Sequence, residues 1–220
     1  MKRSQAWLSW STGKDSAWAL HCLRLRGDLD VVRIFTTVND SNRRVAMHGV
    51  RETLLDAQAE AAGLPLLKIP IPYPCPNTTY EAAIQEAMRQ ARAEGARRVI
   101  FGDLFLEDIR RYRENQLASS GLTPAFPLWG LDTRALAREM IGAGLRAYLT
   151  CVDPKKLEAG WAGRVFDQGL LSRLPAGVDP CGENGEFHTF ASAGPMFRAP
   201  IPVQVGEVVE RDGFVFADLA

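Results

Sequence analysis

Short apolar runs rich in β-branched residues alternate along this chain with helical patterns, and this alternation restricts the possible folds more than any other feature. The apolar runs lie at residues 6–10, 31–38, 66–71 and 98–101. The helical patterns lie at residues 17–26, 50–62, 77–94 and 107–119. Strands separated by helices of this length form βαβ units, whose helices cover both faces of a mostly parallel sheet. The sequence therefore predicts an α/β domain of the Rossmann-like kind.

The C-terminal part of the chain has a different pattern. Residues 203–210 and 214–216 alternate between apolar and polar side chains around an Arg-Asp-Gly turn, which is typical of a β-hairpin. Residues 124–129 contain two prolines and suit an edge strand or an extended connector better than a central strand. We expect a domain boundary near residue 130, with the parallel-sheet domain in 1–130 and a smaller α+β domain in 131–220.

The composition argues against some classes of partner. The 220 residues include 26 basic and 26 acidic side chains, so no net field attracts the chain to nucleic acid or to an anionic membrane. No apolar run is long enough to span a bilayer, and residues 1–5 lack a leader pattern. We therefore expect a cytoplasmic protein without a membrane or nucleic-acid partner, and the sequence leaves open whether it forms a homo-oligomer. No C-x-x-C pair indicates zinc or an iron-sulfur cluster, because the four cysteines are scattered at Cys22, Cys75, Cys151 and Cys181.

The first apolar run leads into a short polar turn with the sequence Ser-Thr-Gly-Lys-Asp-Ser at residues 11–16, and then into a helix. Such a turn directs backbone N–H groups to one place, where the positive end of the helix dipole also favours an anion. Two other phosphate motifs are excluded, since one needs glycine at Leu8 and a hydroxyl at Asp15, and G-x-G-x-x-G is absent here. The 11–16 loop is therefore a candidate nucleotide-phosphate site. The alternative is an ordinary turn in which Ser11 or Asp15 caps the helix.

Other polar residues follow neighbouring strands. Thr37 lies in residues 36–39, where the second strand ends, and Gly102 and Asp103 follow the fourth. Ligands of open α/β sheets bind beyond the carboxyl ends of the strands, so we expect these residues to share one crevice with the 11–16 loop. Asp103 is a candidate for binding ribose or a metal, with a helix cap as the alternative. His48 is a candidate for the nucleotide pocket, with an ordinary turn histidine as the alternative.

A second polar cluster lies in residues 179–190, the 179–190 segment. It contains two carboxylates, an amide and a histidine in a Gly-rich loop that leads into a strand. If residues 186–190 are extended, Glu186 and His188 share one face and Phe187 and Thr189 share the other. The alternative is an acidic turn with a surface histidine. Metal binding is a weaker interpretation: the carboxylates and the imidazole could hold Mg²⁺ or another divalent ion, but the cluster lacks the close histidine pair of zinc enzymes.

Both motifs resemble those of a known family. The 11–16 loop resembles the PP-loop of ATP pyrophosphatases, S-G-G-x-D-S, with Thr12 in place of the first glycine. A side chain at this position disfavours a positive φ angle. The 179–190 segment matches G-E-x-G-E-[FY]-H-T, and both motifs together make the chain similar to the diphthine-ammonia ligase family over nearly its whole length. Further matches are Gly102-Asp103, Pro127-Leu128-Trp129, Gly163-Arg164 and Gly194-Pro195-Met196-Phe197.

This resemblance implies a fold and a set of ligands. It implies a Rossmann-like N-terminal domain of the HUP type (adenine nucleotide alpha hydrolase-like), a smaller C-terminal domain that completes the cleft, and ATP with Mg²⁺. Thr12 belongs to the expected ATP-binding loop, and the loop residues that match the PP-loop are Ser11, Gly13, Lys14, Asp15 and Ser16. The residues that match the second motif, and are expected to bind substrate, are Glu183, Asn184, Glu186, His188 and Thr189.

The family also implies a reaction. PP-loop enzymes hold the β and γ phosphates as a leaving pyrophosphate while a substrate oxygen attacks the α phosphorus. In the family's named reaction, ATP and ammonia amidate the diphthine carboxylate of elongation factor 2. Family members also occur in bacteria, which do not make diphthamide, and residues 48–51 look more like those compact relatives. The resemblance therefore implies an AMP-forming amide ligase, and it leaves open both the carboxylate acceptor, a small molecule or a protein, and the amine.

Three side chains are expected to be catalytic. Lys14 and the loop amides would stabilise the departing pyrophosphate. Glu186 or His188 would take the proton of the incoming amine, since a histidine titrates near neutrality and burial can raise the pKa of a carboxyl group. Asp15 and Asp103 are the candidate ligands of Mg²⁺.

Two other functions remain open. Cys181 suggests a PP-loop enzyme that transfers sulfur or nitrogen to tRNA, although the sequence shows no basic surface for RNA. The third possibility is a non-catalytic module that binds ATP or AMP. Such a module would leave ATP intact, whereas an adenylating enzyme would exchange labelled pyrophosphate into ATP once given its acceptor.

Overall fold

Two β-sheets form the framework of the protein, for which a computed structural model describes residues 3–220. The first part of the chain contains β1 (Ser4–Ser9), α1 (Lys14–Arg26), β2 (Leu29–Asn39), β3 (Arg44–Val45), α2 (Glu52–Ala62), β4 (Leu66–Ile71), α3 (Asn77–Ala93), β5 (Arg98–Ile100), α4 (Glu107–Leu117) and β6 (Thr123–Ala125). The second part contains α5 (Thr133–Gly142), β7 (Arg146–Val152), a 3₁₀ turn (Ala159–Trp161), α6 (Gln168–Arg173), β8 (Phe187–Ala193), β9 (Val205–Arg211) and β10 (Phe214–Leu219).

The first sheet is mostly parallel. β1 pairs with β2 on one side and with β5 on the other, β4 pairs with β2, and β6 pairs with β5 at the opposite edge. Only the short β3 runs antiparallel, against the end of β2. This confirms the predicted α/β fold of the Rossmann-like HUP type. Pro124 lies in the edge strand β6, as predicted, where the missing N–H of proline is tolerated.

β1 is buried on both faces. Leu8 packs in an apolar cluster with Leu20 of α1 and Leu55 of α2. Trp7, the preceding residue, packs in a second cluster with Met88 of α3. Because successive side chains of a strand point to opposite faces, a strand covered on both faces has a continuous apolar sequence. This is the reason for the uninterrupted Ala-Trp-Leu run in β1.

The predicted helices and strands are present, with differences at their ends. α1 begins at Lys14 rather than at residue 17, so the last residues of the 11–16 loop form the first helical turn. α2 begins at Glu52 rather than at residue 50, because Arg51 still forms a bridge with Arg44. The sequence did not predict β3, whose two residues are too few to show a periodic pattern.

The second sheet is antiparallel, in the order β8-β7-β10-β9. The predicted C-terminal hairpin is confirmed, and its turn has Asp212 and Gly213 at φ angles of 53° and 78°. The apolar cluster that contains Leu8 continues into this sheet with Leu149 and Phe190. A domain boundary near residue 130 stays a prediction. None of the helices within residues 3–220 has both the length and the apolar character to cross a bilayer.

Candidate functional site

A cleft of about 560 Å³ opens at the carboxyl ends of β1 and β5. The strand order reverses between these two strands, and open α/β sheets bind their ligands at such a point. The volume lies within the range of small-molecule sites. The cleft brings together most of the predicted site residues, namely Ser11, Lys14, Asp15, Ser16, Thr37, His48, Gly102, Asp103, Glu183, His188 and Thr189.

The two serine hydroxyls of the 11–16 loop bond within the loop. The Oγ atoms of Ser11 and Ser16 lie 3.1 Å apart, and the N–H of Gly13 donates to Ser11 Oγ at 3.3 Å. Gly13 is the N-cap residue of α1, and the N–H of Lys14, the first helical residue, donates to Thr189 Oγ1 at 3.1 Å. The first N–H groups of a helix have no intrahelical acceptor, so those of Asp15 and Ser16 are suited to an anion in the cleft. The geometry favours an anion site over the alternative of a simple helix cap.

Thr12 adopts the backbone conformation that the glycine of the PP-loop pattern would favour. Its φ angle is 70°, which is strained for a β-branched residue, and its side chain is fully buried. Two bonds hold the Thr12 carbonyl in place, since it accepts from the N–H of Ala191 and from Gln58 Nε2, both at 2.9 Å. Thr12 therefore lies behind the cleft wall and fixes the loop to β8.

Two glycines allow close backbone contacts at the cleft. A Cβ atom at Gly13 would lie 2.9 Å from His48 Cε1 and 3.3 Å from the Thr189 carbonyl oxygen. A Cβ atom at Gly102 would lie 3.0 Å from the Ser16 nitrogen. Both glycines are thus needed for packing, and Gly13 does not line the cleft itself.

Lys14 is a buried cation in the cleft wall. Its side chain is 2% exposed, and its Nζ donates to Asp15 Oδ2 at 2.9 Å and to the Cys181 carbonyl. The same Nζ lies 5.5 Å from the ring centres of Phe166 and Phe187. Burial lowers the pKa of Lys14, but the neighbouring acidic groups, Asp15 first among them, outweigh burial and raise it. Lys14 therefore stays protonated.

The carboxylates of Asp15 and Asp103 fit a magnesium ion that is shared with phosphates. Asp15 Oδ1 is buried without a hydrogen-bond partner. Burial raises the pKa of Asp103, and the nearby Arg113 opposes this. Within residues 3–220, no group of three or more side chains could hold a metal alone. Mg²⁺ in phosphate-transfer sites uses one or two carboxylates and the substrate's phosphates, and these two carboxylates match that need.

Some side chains of the 179–190 segment line the cleft, and others bond within the loop that supports it. Glu183, His188 and Thr189 line the cleft, but Asn184 and Glu186 do not. Glu186 precedes β8, and its Oε1 accepts from the Asp179 N–H at 2.9 Å and from Asn184 Nδ2 at 3.1 Å. The structure therefore places the Glu186 carboxylate among loop atoms, away from the cleft.

Glu183 is the titratable carboxyl group that faces the cleft from this segment. Its Oε1 accepts from the Leu104 N–H at 2.7 Å. Burial raises the pKa of Glu183 to about 7, and the charges of Asp15 and Asp103 add to this effect. The sequence indicated Glu183 as a substrate-binding residue but did not predict that its pKa would lie near 7.

The rings of His48 and His188 contact each other in a tilted arrangement, with ring centres 4.6 Å apart and an interplanar angle of 35°. His48 Nδ1 lies 3.0 Å from the Thr189 carbonyl oxygen, so it donates its proton there. Burial lowers the pKa of His188 to about 4 and that of His48 to about 3. The expectation that His188 titrates near neutrality is therefore wrong, and both rings are neutral at pH 7.

The sequence did not indicate the other end of the cleft. It is lined by Phe35, Tyr80, Ile84, Met88, Phe101, Leu106, Ile109, Arg113 and Gln116. Arg113 Nε is buried without a partner, and the guanidinium carbon lies 5.1 Å from the ring centre of Phe101. The sequence does contain a pattern for this wall, since residues 109, 113 and 116 share one face of α4 and residue 106 is its N-cap, but the high charge of this helix obscured the pattern.

Two sequence models of one family together match most of the chain. The sequence model of the diphthamide synthase N-terminal domain matches residues 4–124, more than half of the chain, and that of the C-terminal domain matches residues 132–216. The chain belongs to the diphthamide synthase family. Its two motifs fall in different domains of this family, the 11–16 loop in the N-terminal domain and the 179–190 segment in the C-terminal domain.

Several relatives within the diphthamide synthase family are diphthine-ammonia ligases. The bovine protein is 30% identical over 186 residues, which cover 76% of this chain and 68% of that protein. The human protein is 35% identical over 125 residues and the rat protein 33% over 121, in each case 52% of this chain and 45% of the relative. The chain thus spans about half the length of the human and rat relatives.

Proposed function

We propose that the protein is an ATP-dependent ligase that adenylates a carboxylate, releases pyrophosphate and then forms an amide. The observation that carries this proposal is the buried, protonated Lys14 at the N-terminus of α1, at the reversal point of the sheet. A charge fixed in this way stabilises a leaving pyrophosphate without reorganisation. The relatives' name, diphthine-ammonia ligase, supports a carboxylate and ammonia as the other substrates.

The two ends of the cleft suit the two ends of ATP. The β and γ phosphates would bind at Lys14 and the 11–16 loop, with Mg²⁺ held by Asp15 and Asp103. Mg²⁺ would neutralise phosphate charge. The adenosine would extend toward the apolar end, where Phe101 and Arg113 offer a flat surface and an unpaired donor. The C-terminal domain, residues 131–220, would complete the cleft with Glu183 and His188.

The reaction balances in two steps. In the first, a carboxylate oxygen attacks the α phosphorus, a bond forms between them, and the bond to the β-phosphate oxygen breaks, which yields an acyl adenylate and pyrophosphate. In the second, ammonia attacks the acyl carbon, AMP leaves, and the nitrogen loses one proton. Glu183 would accept this proton, since its pKa of about 7 suits a base at neutral pH. We assign Glu186 to holding the loop and His188 to binding as a neutral ring.

Sulfur transfer is less well supported by the geometry. The Cys181 thiol is 2% exposed, its Sγ donates to the Thr133 carbonyl at 3.4 Å, and burial raises its pKa. A cysteine that carries sulfur needs an accessible, low-pKa thiol. The acceptor is therefore better described as a carboxylate than as a tRNA base.

The cleavage position of ATP tests the proposal. The protein would be incubated with α-labelled ATP, ammonium and fractions of cell extract, and labelled AMP and ADP would be separated by chromatography. We expect AMP in at least one fraction, lost in Lys14→Ala and kept in the control Lys155→Ala, whose exposed side chain lies outside the cleft. Formation of ADP would contradict the proposal, and ATP that binds but stays intact with every fraction would favour a non-catalytic module.

A further inference from the structure

A second, smaller cavity of about 190 Å³ adjoins the cleft. Val45, Met47 and His188 line both cavities, so these side chains form a common wall. Its volume is below the roughly 300 Å³ at which sites for drug-sized ligands begin. It is therefore too small for a nucleotide and suits a group about the size of one side chain.

The walls of this cavity are mostly apolar. Cys151 of β7 and Phe214 and Phe216 of β10 form the side that faces away from the cleft. The segment before α2 packs closely against this side, since a Cβ atom at Gly49 would lie 2.8 Å from the Phe216 ring. An apolar wall of this kind binds the body of a ligand rather than a phosphate.

Of the two arginines on the cavity's rim, one is already engaged. Arg44 donates to the Gly49 carbonyl at 2.7 Å and pairs with Asp218 at 2.8 Å. Arg211 lies 4.7 Å from the centre of the Phe216 ring, and its nearest carboxylate, that of Asp212, is 3.9 Å away, beyond hydrogen-bond distance.

The carboxylate on the rim of this cavity bonds to a tyrosine rather than to Arg211. Asp212 accepts a hydrogen bond from the Tyr73 hydroxyl. The guanidinium of Arg211 is therefore left with donors for a ligand, and guanidinium groups pair preferentially with planar anions such as carboxylates.

We propose that this second cavity binds the carboxylate substrate, which is an acid on an apolar body of about side-chain size. Arg211 attracts the carboxylate, and the substrate meets the nucleotide at the wall that contains His188. This inference rests on the proposed function, since it takes the acceptor to be a carboxylate. The neutral His188 ring would let the carboxylate approach the cleft without a competing positive charge, whereas an imidazolium would hold it in place.

The test uses 4-fluorophenylacetate as probe and fluorine NMR line broadening as readout. We expect the wild-type protein to broaden the probe signal also in the presence of saturating ATP, and to affect the uncharged 4-fluorophenylacetamide much less. Arg211→Gln should weaken binding about fivefold to tenfold, as expected for one lost charged hydrogen bond near solvent. The matched control is Arg164→Gln, since Arg164 is also exposed and lies 4.8 Å from the Trp161 ring, outside both cavities.

Several results would overturn the inference. These are equal binding by wild type and Arg211→Gln, displacement of the bound probe by ATP, and binding of neither probe to the wild type. The second probe is a capped Ala-Glu-Ala peptide, observed by proton line broadening, and either probe bound through Arg211 supports the cavity. Tighter binding of the free acid indicates a small-molecule acceptor, and tighter binding of the peptide indicates a protein side chain.

The two proposals can fail separately. ADP formation in the chromatographic assay would reject the ligase, although carboxylate binding at Arg211 would stand. AMP formation that Arg211→Gln leaves unchanged would keep the ligase and reject the second cavity as its acceptor site.

Discussion

The 11–16 loop and the 179–190 segment contact each other in one cleft, but they are built differently. The loop is local: its strand, turn and helix are consecutive, and its serine hydroxyls bond to one another. The 179–190 segment depends on distant partners, since Glu183 accepts from the Leu104 N–H and Thr189 from the Lys14 N–H. In a local motif, the backbone of the motif itself fixes the direction of its side chains. In a segment that depends on distant partners, some side chains face the ligand and others hold the segment in place.

The largest predicted effect concerns the 11–16 loop. Replacing Lys14 with Ala removes the fixed charge beside the leaving pyrophosphate, and we expect AMP formation to fall by about 10²–10³-fold. Lys14→Met keeps the aliphatic packing between Phe166 and Phe187 and should fall as far, with a thermal midpoint nearer that of the wild type. Rates would be measured by pyrophosphate release. Undiminished turnover in either variant would remove Lys14 from the mechanism.

The second prediction separates the two glutamates of the 179–190 segment. Glu183→Gln cannot accept a proton, and we expect kcat to fall about 10²-fold with no drop in the thermal midpoint. Glu186→Gln loses only charge in its bonds to Asp179 and Asn184, so we expect most of kcat to remain and the midpoint to drop by a few degrees. Circular dichroism and product formation would be measured on both proteins. The opposite pattern would return the proton-accepting role to Glu186.

The pH dependence sharpens the same contrast. Since only deprotonated Glu183 accepts a proton, kcat should rise as the pH increases through about 7, and this rise should be absent in Glu183→Gln. The free energy of unfolding changes in the opposite direction to kcat as the pH rises. The pKa of Glu183 is raised in the fold, so its contribution to stability is fully present below its ordinary pKa of 4.5 and is lost as the pH rises through about 7.

Thermal unfolding from pH 5 to pH 8 would measure this second effect. The midpoint of the wild type should decline relative to that of Glu183→Gln over this interval. Parallel curves for the two proteins would mean that the fold does not shift the pKa of Glu183.

The same contrast explains what the sequence could predict. The strands and helices of the parallel sheet follow from apolar periodicity, and the 11–16 loop follows from its position after β1. The sequence could not assign Glu183 and Glu186 their places, because side-chain direction in a loop depends on partners such as Leu104 and Asp179. Nor could it predict that burial lowers the pKa of His188 to about 4. Arg113 was missed because its cleft contact requires the packing of α4.

The smallest predicted effect concerns Thr12 of the 11–16 loop, which also depends on contacts from outside the loop. Thr12 holds a φ angle of 70° and buries an unpartnered Oγ1 atom. Thr12→Gly removes both penalties but adds chain entropy to the unfolded state, so we expect a net gain of about 1 kcal/mol in the free energy of unfolding. Thr12→Ala removes the hydroxyl and keeps the strained angle, and it should be less stable than Thr12→Gly. Urea denaturation would compare the three proteins, and equal stability of the alanine and glycine variants would show that contacts from Ala191 and Gln58, not the residue at position 12, determine the conformation of the loop.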